Sequence, residues 1–160
     1  MTIASRIAVM NEGRIVQTGA PDQVYENPAN RFVAGFLGAV NLFAGRVTGA
    51  DRGLLLVDSE AGPLIVEHDA LPPGREVAVA VRPEKLRLTT TPLAGARNSL
   101  FATLRTGAFR GEASTYEVEI AGGKKVRVTV PNRERRAGGL EPGAPVFLSF
   151  APDAARALET

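Results

Sequence analysis

The sequence predicts a mainly β protein, a small barrel or sandwich, preceded by a hairpin and two short helices. Three observations lead there. From residue 41 onward, short apolar runs recur at close spacing, several of them alternating with polar residues. Glycine and proline, 17 and 11 of the 160 residues, punctuate those runs. Capped and stopped helix signals lie mainly before residue 40. Many short strands separated by turn signals close into a barrel or pack as two sheets.

Residues 6–17 read as the hairpin. Ile7 to Met10 is apolar, Asn11-Glu12-Gly13 is turn chemistry, and Arg14 to Gln17 returns. Gly19 breaks the strand, and Pro21 suits a first helical turn, where its missing N–H costs nothing. Asn27-Pro28 stops that helix. Asn30 can cap a second helix, in which Phe32, Val33, Phe36 and Leu37 share one face before Gly38 ends it. Strands are expected at Leu42–Thr48, Leu54–Asp58, Leu64–Glu67, Glu76–Val81, Leu86–Thr89, Ser99–Thr106, Thr115–Ile120, Val126–Val130 and Val146–Phe150. Residues 90–98 read as a linker, and Asp153 to Leu158 as a last helical turn after Pro152.

The hairpin at 115–130 is specific enough to assign a register. Tyr116, Val118 and Ile120 alternate with Glu117 and Glu119, and Val126, Val128 and Val130 with Lys125, Arg127 and Thr129. Matching the apolar faces requires an odd loop, because a one-residue slip flips every side chain. Gly122-Gly123-Lys124 is the expected loop, which sets Ile120 opposite Val126 and Glu119 opposite Arg127. Gly107 and Gly111 bracket Phe109-Arg110 and mark a bulge or bend. Phe109 and Arg110 are candidates for contact with a partner. Arg82-Pro83-Glu84 ends an alternating strand, and its charges can fix the turn through bonds to backbone or to each other.

Composition narrows the chemistry. Without cysteine, and with His68 as the single histidine, the sequence has no thiolate metal site and no usual nucleophilic triad. Catalytic, cofactor-binding and metal-binding residues are therefore expected to be none. No apolar run reaches the roughly 18 residues that span a bilayer. Net charge is +2, but residues 97–136 hold nine basic and four acidic side chains. The 115–130 hairpin uses several of those as cross-strand pairs, and few aromatics lie nearby to stack bases, so nucleic acid is not the favoured partner. No phosphate loop occurs, since Gly123-Lys124 is followed by Lys125 and lacks the earlier glycine.

Arg6 to Ile15, then Gly19-Ala20-Pro21, then Tyr25 to Ala34 resemble the end of the nucleotide-binding domain of ABC-importer ATPases. Asn41-Leu42-Phe43, Val81-Arg82-Pro83-Glu84 and the run from Pro142 to Phe150 resemble the TOBE regulatory domain of that family, an OB-like fold. Gly107 to Pro131, with Tyr116, is most similar to the spermidine/putrescine branch. The resemblance implies that residues 1–40 are the C-terminal remnant of a nucleotide-binding domain and 41–160 an OB-like regulatory domain. It makes Gly13, Gly19, Pro21, Asn30, Arg82, Pro83, Glu84, Gly107, Gly111, Tyr116 and Pro131 family-motif positions. It places the ATP- and Mg²⁺-handling parts of the parent upstream of Met1, so this chain itself is expected to hold no cofactor and hydrolyse no ATP.

The function that the resemblance implies is a regulatory and dimerisation tail supporting ATP-driven solute uptake, with a polyamine-like substrate. The expected partners are a second copy of the chain and, through the ATPase domain, membrane permease subunits. The expected location is the cytoplasm, at the inner face of the plasma membrane. The alternatives are an OB-like domain sensing a small oxyanion or polyamine, and one binding single-stranded nucleic acid.

Overall fold

The computed structural model describes residues 4–132 and 140–159, with the side chain of Arg110 left out. Arg133, Arg135 and Arg136 of the basic block, and that Arg110 side chain, lie outside the described residues. The chain opens with the hairpin β1 (Ile7–Asn11) and β2 (Arg14–Gly19), turned at Glu12-Gly13. Helix α1 (Pro21–Glu26) begins on its proline. Helix α2 (Arg31–Phe36) is capped by Asn30, whose Oδ1 accepts from the Val33 N–H at 3.0 Å. Val9, Val24 and Val33 are buried together, with Ile7, Val16 and Leu37 against them. The expected single apolar face of α2 is divided. Val33 and Ala34 are buried, while Phe32 and Phe36 are 39% and 65% exposed and stack on each other at 5.8 Å. The apolar residues Phe32, Val33, Ala34 and Phe36 on six residues of helix cannot all face one neighbour, and the smaller ones fit the inner side.

The β part contains β3 (Asn41–Asp51), β4 (Leu54–Ser59), β5 (Gly62–Glu67), β6 (Glu76–Val81) and β7 (Arg87–Thr89). It continues with β8 (Asn98–Arg110), β9 (Ala113–Ile120), β10 (Lys125–Pro131), β11 (Pro145–Phe150) and β12 (Ala155–Glu159). Residues 90–97 carry no strand, and Asn98 begins β8. The strands form two five-stranded sheets, in the orders β12-β6-β3-β4-β5 and β7-β11-β8-β9-β10. These orders describe an internal duplication. Each OB-like half runs through a long bulged strand, two further meander strands, a fourth strand and a short 3₁₀ turn that begins on proline, Pro83–Lys85 or Pro152–Ala154. The fifth strand of each half then joins the other half's sheet: β7 pairs with β11, and β12 with β6.

One core fills the space between the sheets. Phe43, Val47, Leu55, Val57 and Val79 face Leu104, Val118, Val126, Val128 and Leu148 within it. Two buried asparagines, equivalent in the duplication, stitch the sheets at their ends. Asn41 opens β3 and bonds the Arg127 peptide of β10, donating to its carbonyl at 2.8 Å and accepting from its N–H at 2.9 Å. Asn98 opens β8 and does the same to Ile65 of β5, at 2.8 and 2.7 Å, and also donates to the Phe150 carbonyl. The side-chain amide has the donor and acceptor of a peptide group, so each asparagine extends a ladder across to the other sheet.

Three expectations are corrected. Residues Asp153 to Leu158 form no helical turn: after the 3₁₀ turn, β12 runs antiparallel to β6, with Ala155 opposite Val81 and Ala157 opposite Val79. The alanine- and arginine-rich composition favours helix locally, and pairing with a buried strand overrides it. In the 115–130 hairpin the loop is Ala121-Gly122-Gly123, closed by Ile120 N–H to the Lys124 carbonyl, with both glycines at φ +81°. The register is therefore two residues from the expected one: Val126 lies opposite Val118, Arg127 opposite Glu117 and Lys125 opposite Glu119. Parity is kept, so the faces are as expected. The bulge of β8 falls between Leu104 and Thr106, not at Gly107. Gly107 instead lies under the Tyr116 ring, where a Cβ would come within 3.0 Å of two ring carbons.

The Asn98→Ala substitution leaves buried backbone groups of Ile65 without partners, and is expected to lower the unfolding free energy by about 1–3 kcal/mol. Asn41→Ala is expected to act in the same direction. Denaturant titration of the purified chain measures both. A loss well below 1 kcal/mol for Asn98→Ala would show that the stitch contributes little.

Candidate functional site

The family-motif residues Arg82 and Glu84 meet the N-terminal helices. Arg82 follows β6, where Pro83 ends pairing and turns the chain. Arg82 is 7% exposed, and its guanidinium points at the end of α2. Nη1 donates to the carbonyls of Ala34 at 2.9 Å and of Gly38 and Ala39 at 3.3 Å, and Nη2 donates to that of Tyr25 at 3.3 Å. The carbonyls that a helix end leaves unpaired thus receive one cation. The guanidinium also lies over the Tyr25 ring, 4.0 Å from its centroid.

Glu84 does not pair with Arg82. It accepts from the Tyr25 hydroxyl, fixing the ring under the guanidinium. Burial, and then this bond to a carboxylate, hold the Tyr25 phenol above its ordinary pKa, so it remains the donor. Lys85 pairs with Glu26 of α1 at 3.3 Å, and Arg156 of β12 donates to Asn27 Oδ1 at 2.9 Å. Ala34 is buried against Ala80 and Leu158. The helical segment is thus held by one buried cation, one aromatic ring, two exposed polar pairs and a small apolar contact.

The other motif residues serve local structure. Gly13 takes the positive φ of the β1–β2 turn, Gly19 ends β2 close to Val24, Pro21 starts α1 and Asn30 caps α2. Gly107 and Tyr116 pack together, as described. Gly111 turns β8 into β9, and its carbonyl accepts from Asn132, which follows Pro131 at the end of β10. Phe109 is 65% exposed near that turn. His68 holds a local contact to the Asp69 carbonyl at 2.7 Å, and no group of three potential metal ligands occurs among the described residues. Of the basic block, Arg105 pairs with Glu119, Lys125 with Glu117 and Lys124 with Glu60. A cleft of about 230 Å³ beside Asn41 is lined by Glu117, Lys125 and Arg127.

The sequence reading missed Tyr25, Asn41, Asn98 and Arg156 as working residues. An internal signal was present. Asn41-Leu42-Phe43 and Asn98-Ser99-Leu100 each open a long strand, and Pro83-Glu84 with Arg87 is echoed by Pro152-Asp153 with Arg156.

Comparison with known proteins fits this geometry. The TOBE domain model matches residues 79–158, which include Arg82, Pro83, Glu84, the strands β7 to β11 and β12 up to Leu158. The chain belongs to the TOBE domain family. The putrescine transport ATP-binding protein PotG of Escherichia coli (strain K12) is 37% identical over 143 residues, 88% of this TOBE chain and 38% of that protein. The spermidine/putrescine import ATP-binding protein PotA of Acidothermus cellulolyticus is 34% identical over 156 residues, 96% of this chain and 40% of that protein. PotA 1 of Pseudomonas aeruginosa is 32% identical over 160 residues, 99% and 42%. The chain thus spans about two fifths of the length of these relatives. Among solved structures, the cytoplasmic molybdate-binding protein ModG, in a molybdate-bound form, superposes with a TM-score of 0.67 at 21% identity. The match covers 75% of this chain and 96% of that one, and shows a shared fold. No helix among the described residues is long and apolar enough to cross a membrane.

Two predictions follow from the ion pairs and the buried cation. Arg82→Gln is expected to destabilise the chain by at least about 2 kcal/mol and to speed amide exchange over 31–38, because several buried carbonyls lose a charged donor. Arg82→Lys should restore only part, since one ammonium cannot reach all four carbonyls while resting on the ring. Hydrogen exchange followed by mass spectrometry reads both. Separately, the Lys124 ammonium and the Ala44 N–H hold the Glu60 carboxyl below its ordinary pKa. A depressed folded pKa means stability that is complete above the unfolded value and is lost as pH falls through the folded one. Lys124→Met should therefore lower stability at neutral pH, leave it nearly unchanged at pH below the folded Glu60 value, and so flatten the acid limb of the profile, as denaturant titrations across the acid range would show.

Proposed function

We propose that this chain is the regulatory and pairing tail of an ABC-importer ATPase subunit, one that supports uptake of a polyamine-like solute. The observation that carries the reading is the junction at Arg82. It is built from TOBE residues on one side and, on the other, from the Tyr25 to Ala34 stretch that resembles the end of a nucleotide-binding domain. Relatives matched over most of this chain are polyamine transport ATP-binding proteins. In this reading ATP and Mg²⁺ are handled by the rest of the subunit, which also contacts membrane permease subunits from the cytoplasmic side. The tail keeps two such subunits close to each other by raising the effective concentration of their catalytic parts, without touching ATP.

A small-ligand role is the second reading. The cleft beside Asn41 suits a small ion better than a drug-sized molecule, whose sites are usually larger than about 300 Å³. Its walls carry Lys125 and Arg127 for an oxyanion and Glu117 for an amine. The shared fold with a molybdate-binding protein supports the oxyanion version.

The two readings separate in experiment. A chimera carrying residues 1–160 in place of the matching part of the E. coli putrescine transport protein should restore ATP-dependent putrescine uptake to cells lacking that protein. The same chimera truncated after residue 40 should fail. Full uptake by the truncated chimera would sink the tail reading. Calorimetric titration with molybdate, phosphate, putrescine and spermidine tests the second, and absence of heat with all four removes it for those ligands.

A further inference from the structure

The cleft beside Asn41 carries the charges of Glu117, Lys125 and Arg127, and the strand register fixes where they stand. Asn41 bonds both the N–H and the carbonyl of Arg127, so the backbone that bears this arginine is clamped to the start of β3. The Arg127 side chain is exposed, and its guanidinium has no hydrogen-bond or ion-pair partner among the described residues. Glu117 lies opposite it across β9 and β10. That carboxylate instead meets Lys125, through Oε1 at 3.2 Å. Its other oxygen remains open to a donor, and the Lys125 ammonium has further protons to give. The cleft thus offers two cations and one carboxylate, each with bonding capacity to spare.

Two simple kinds of ligand fit this set badly. A bare oxyanion placed on Arg127 and Lys125 stands beside the Glu117 carboxylate, and like charges at that range repel. A polyamine placed on Glu117 meets the two cations in the same way. Size points in the same direction. The cleft holds about 230 Å³, and one water takes up about 30 Å³ of the liquid, so a tetrahedral oxyanion leaves most of the space to water. The complement of the set is a compact organic ion with two carboxylates and one ammonium. One carboxylate meets Arg127, whose planar fork binds it through two parallel N–H donors. The second meets Lys125, and the ammonium donates to the open oxygen of Glu117.

We infer that the cleft between the start of β3 and the β9–β10 hairpin is a binding site for an acidic α-amino acid. The inference rests on the small-ligand reading given above and names the class of ligand. The Glu117 and Lys125 side chains are 35% and 67% exposed, so each contact alone is modest. Selectivity comes from meeting all three charges at once.

Calorimetric titration of the whole chain, carried into the millimolar range of ligand, tests this. L-Glutamate and L-aspartate are the probes. Glutarate lacks the ammonium, L-glutamine lacks the second carboxylate, and phosphate and putrescine are the simple ions. At least one probe should bind at least about tenfold more tightly than any of these four, the difference that one charge-assisted bond makes. Arg127→Gln and Glu117→Gln should each weaken that binding at least about tenfold. Both should leave the melting temperature nearly unchanged, because Asn41 bonds only the Arg127 peptide and the Glu117 pair is exposed. If either variant lowers the melting temperature, Lys125→Gln is read in its place. Heat from phosphate or putrescine that a cleft variant abolishes, with none from the probes, overturns the ligand class and leaves the small-ligand reading standing. Glutarate or L-glutamine binding as tightly as the probes also overturns the class. Probe binding unchanged in the variants overturns the site. Silence from every ligand removes the inference and the reading together.

Discussion

Each sheet of the β part is completed by a strand from the other half of the sequence. The first sheet ends on β12 and the second on β7. Neither half can therefore close its own apolar face, and burial of the common core is shared between them. Asn41 and Asn98 follow from the same constraint. Where the two sheets approach at their ends, a strand edge would leave peptide groups buried and unpaired. An asparagine at the start of each long strand supplies the missing donor and acceptor. Separation of the halves would break both stitches and both exchanged edges together, so the β part is one cooperative unit.

The helical segment depends on that unit through a different kind of contact. Arg82 is a buried cation with no carboxylate bonded to it among the described residues; its partners are four backbone carbonyls and an aromatic face. Burying a charge is costly unless its hydrogen bonds are filled. Here the carbonyls at the end of α2 would be orphaned without it, so each side removes the other's penalty. Glu84 takes no direct share of the charge. It holds the Tyr25 hydroxyl, and so fixes the ring on which the guanidinium rests. A junction of this type resists being pulled apart but contains few apolar contacts, which suits a connection between two bodies that must stay in fixed relation. The exposed pairs of Lys85 with Glu26 and of Arg156 with Asn27 set direction more than strength.

Much of this architecture is legible in the residues. The cap at Asn30, the proline start of α1, the strand positions and the alternating faces of the 115–130 hairpin all follow from local chemistry. Its register does not. Gly122 and Gly123 permit either of two odd loops, and the parity rule that fixes the faces cannot choose between registers two residues apart. Neighbouring Arg105 on β8 binds Glu119 and gives it a partner that no two-strand argument contains. The last strand was hidden for a related reason: Ala155 to Glu159 has helical composition, and only the waiting edge of β6 makes it extended. Arg82 stood out as a motif residue, yet its carbonyl partners lie more than forty positions earlier in the chain, beyond the reach of any local pattern.

The basic block shows how position changes the meaning of charge. Counted along the chain, residues 97–136 look like an attractor for an acidic partner. Folded, three of its cations meet carboxylates from within or outside the block: Arg105 with Glu119, Lys125 with Glu117, and Lys124 with Glu60 across the sheets. Strand pairing sets carboxylates beside several of these cations, because residues that are distant in sequence become lateral neighbours. The basic excess is reduced on the outer face of the second sheet and not removed, because Arg127 lies opposite Glu117, which Lys125 already pairs. The sign of a block read along the chain is therefore set less by its composition than by which strands the fold lays beside it.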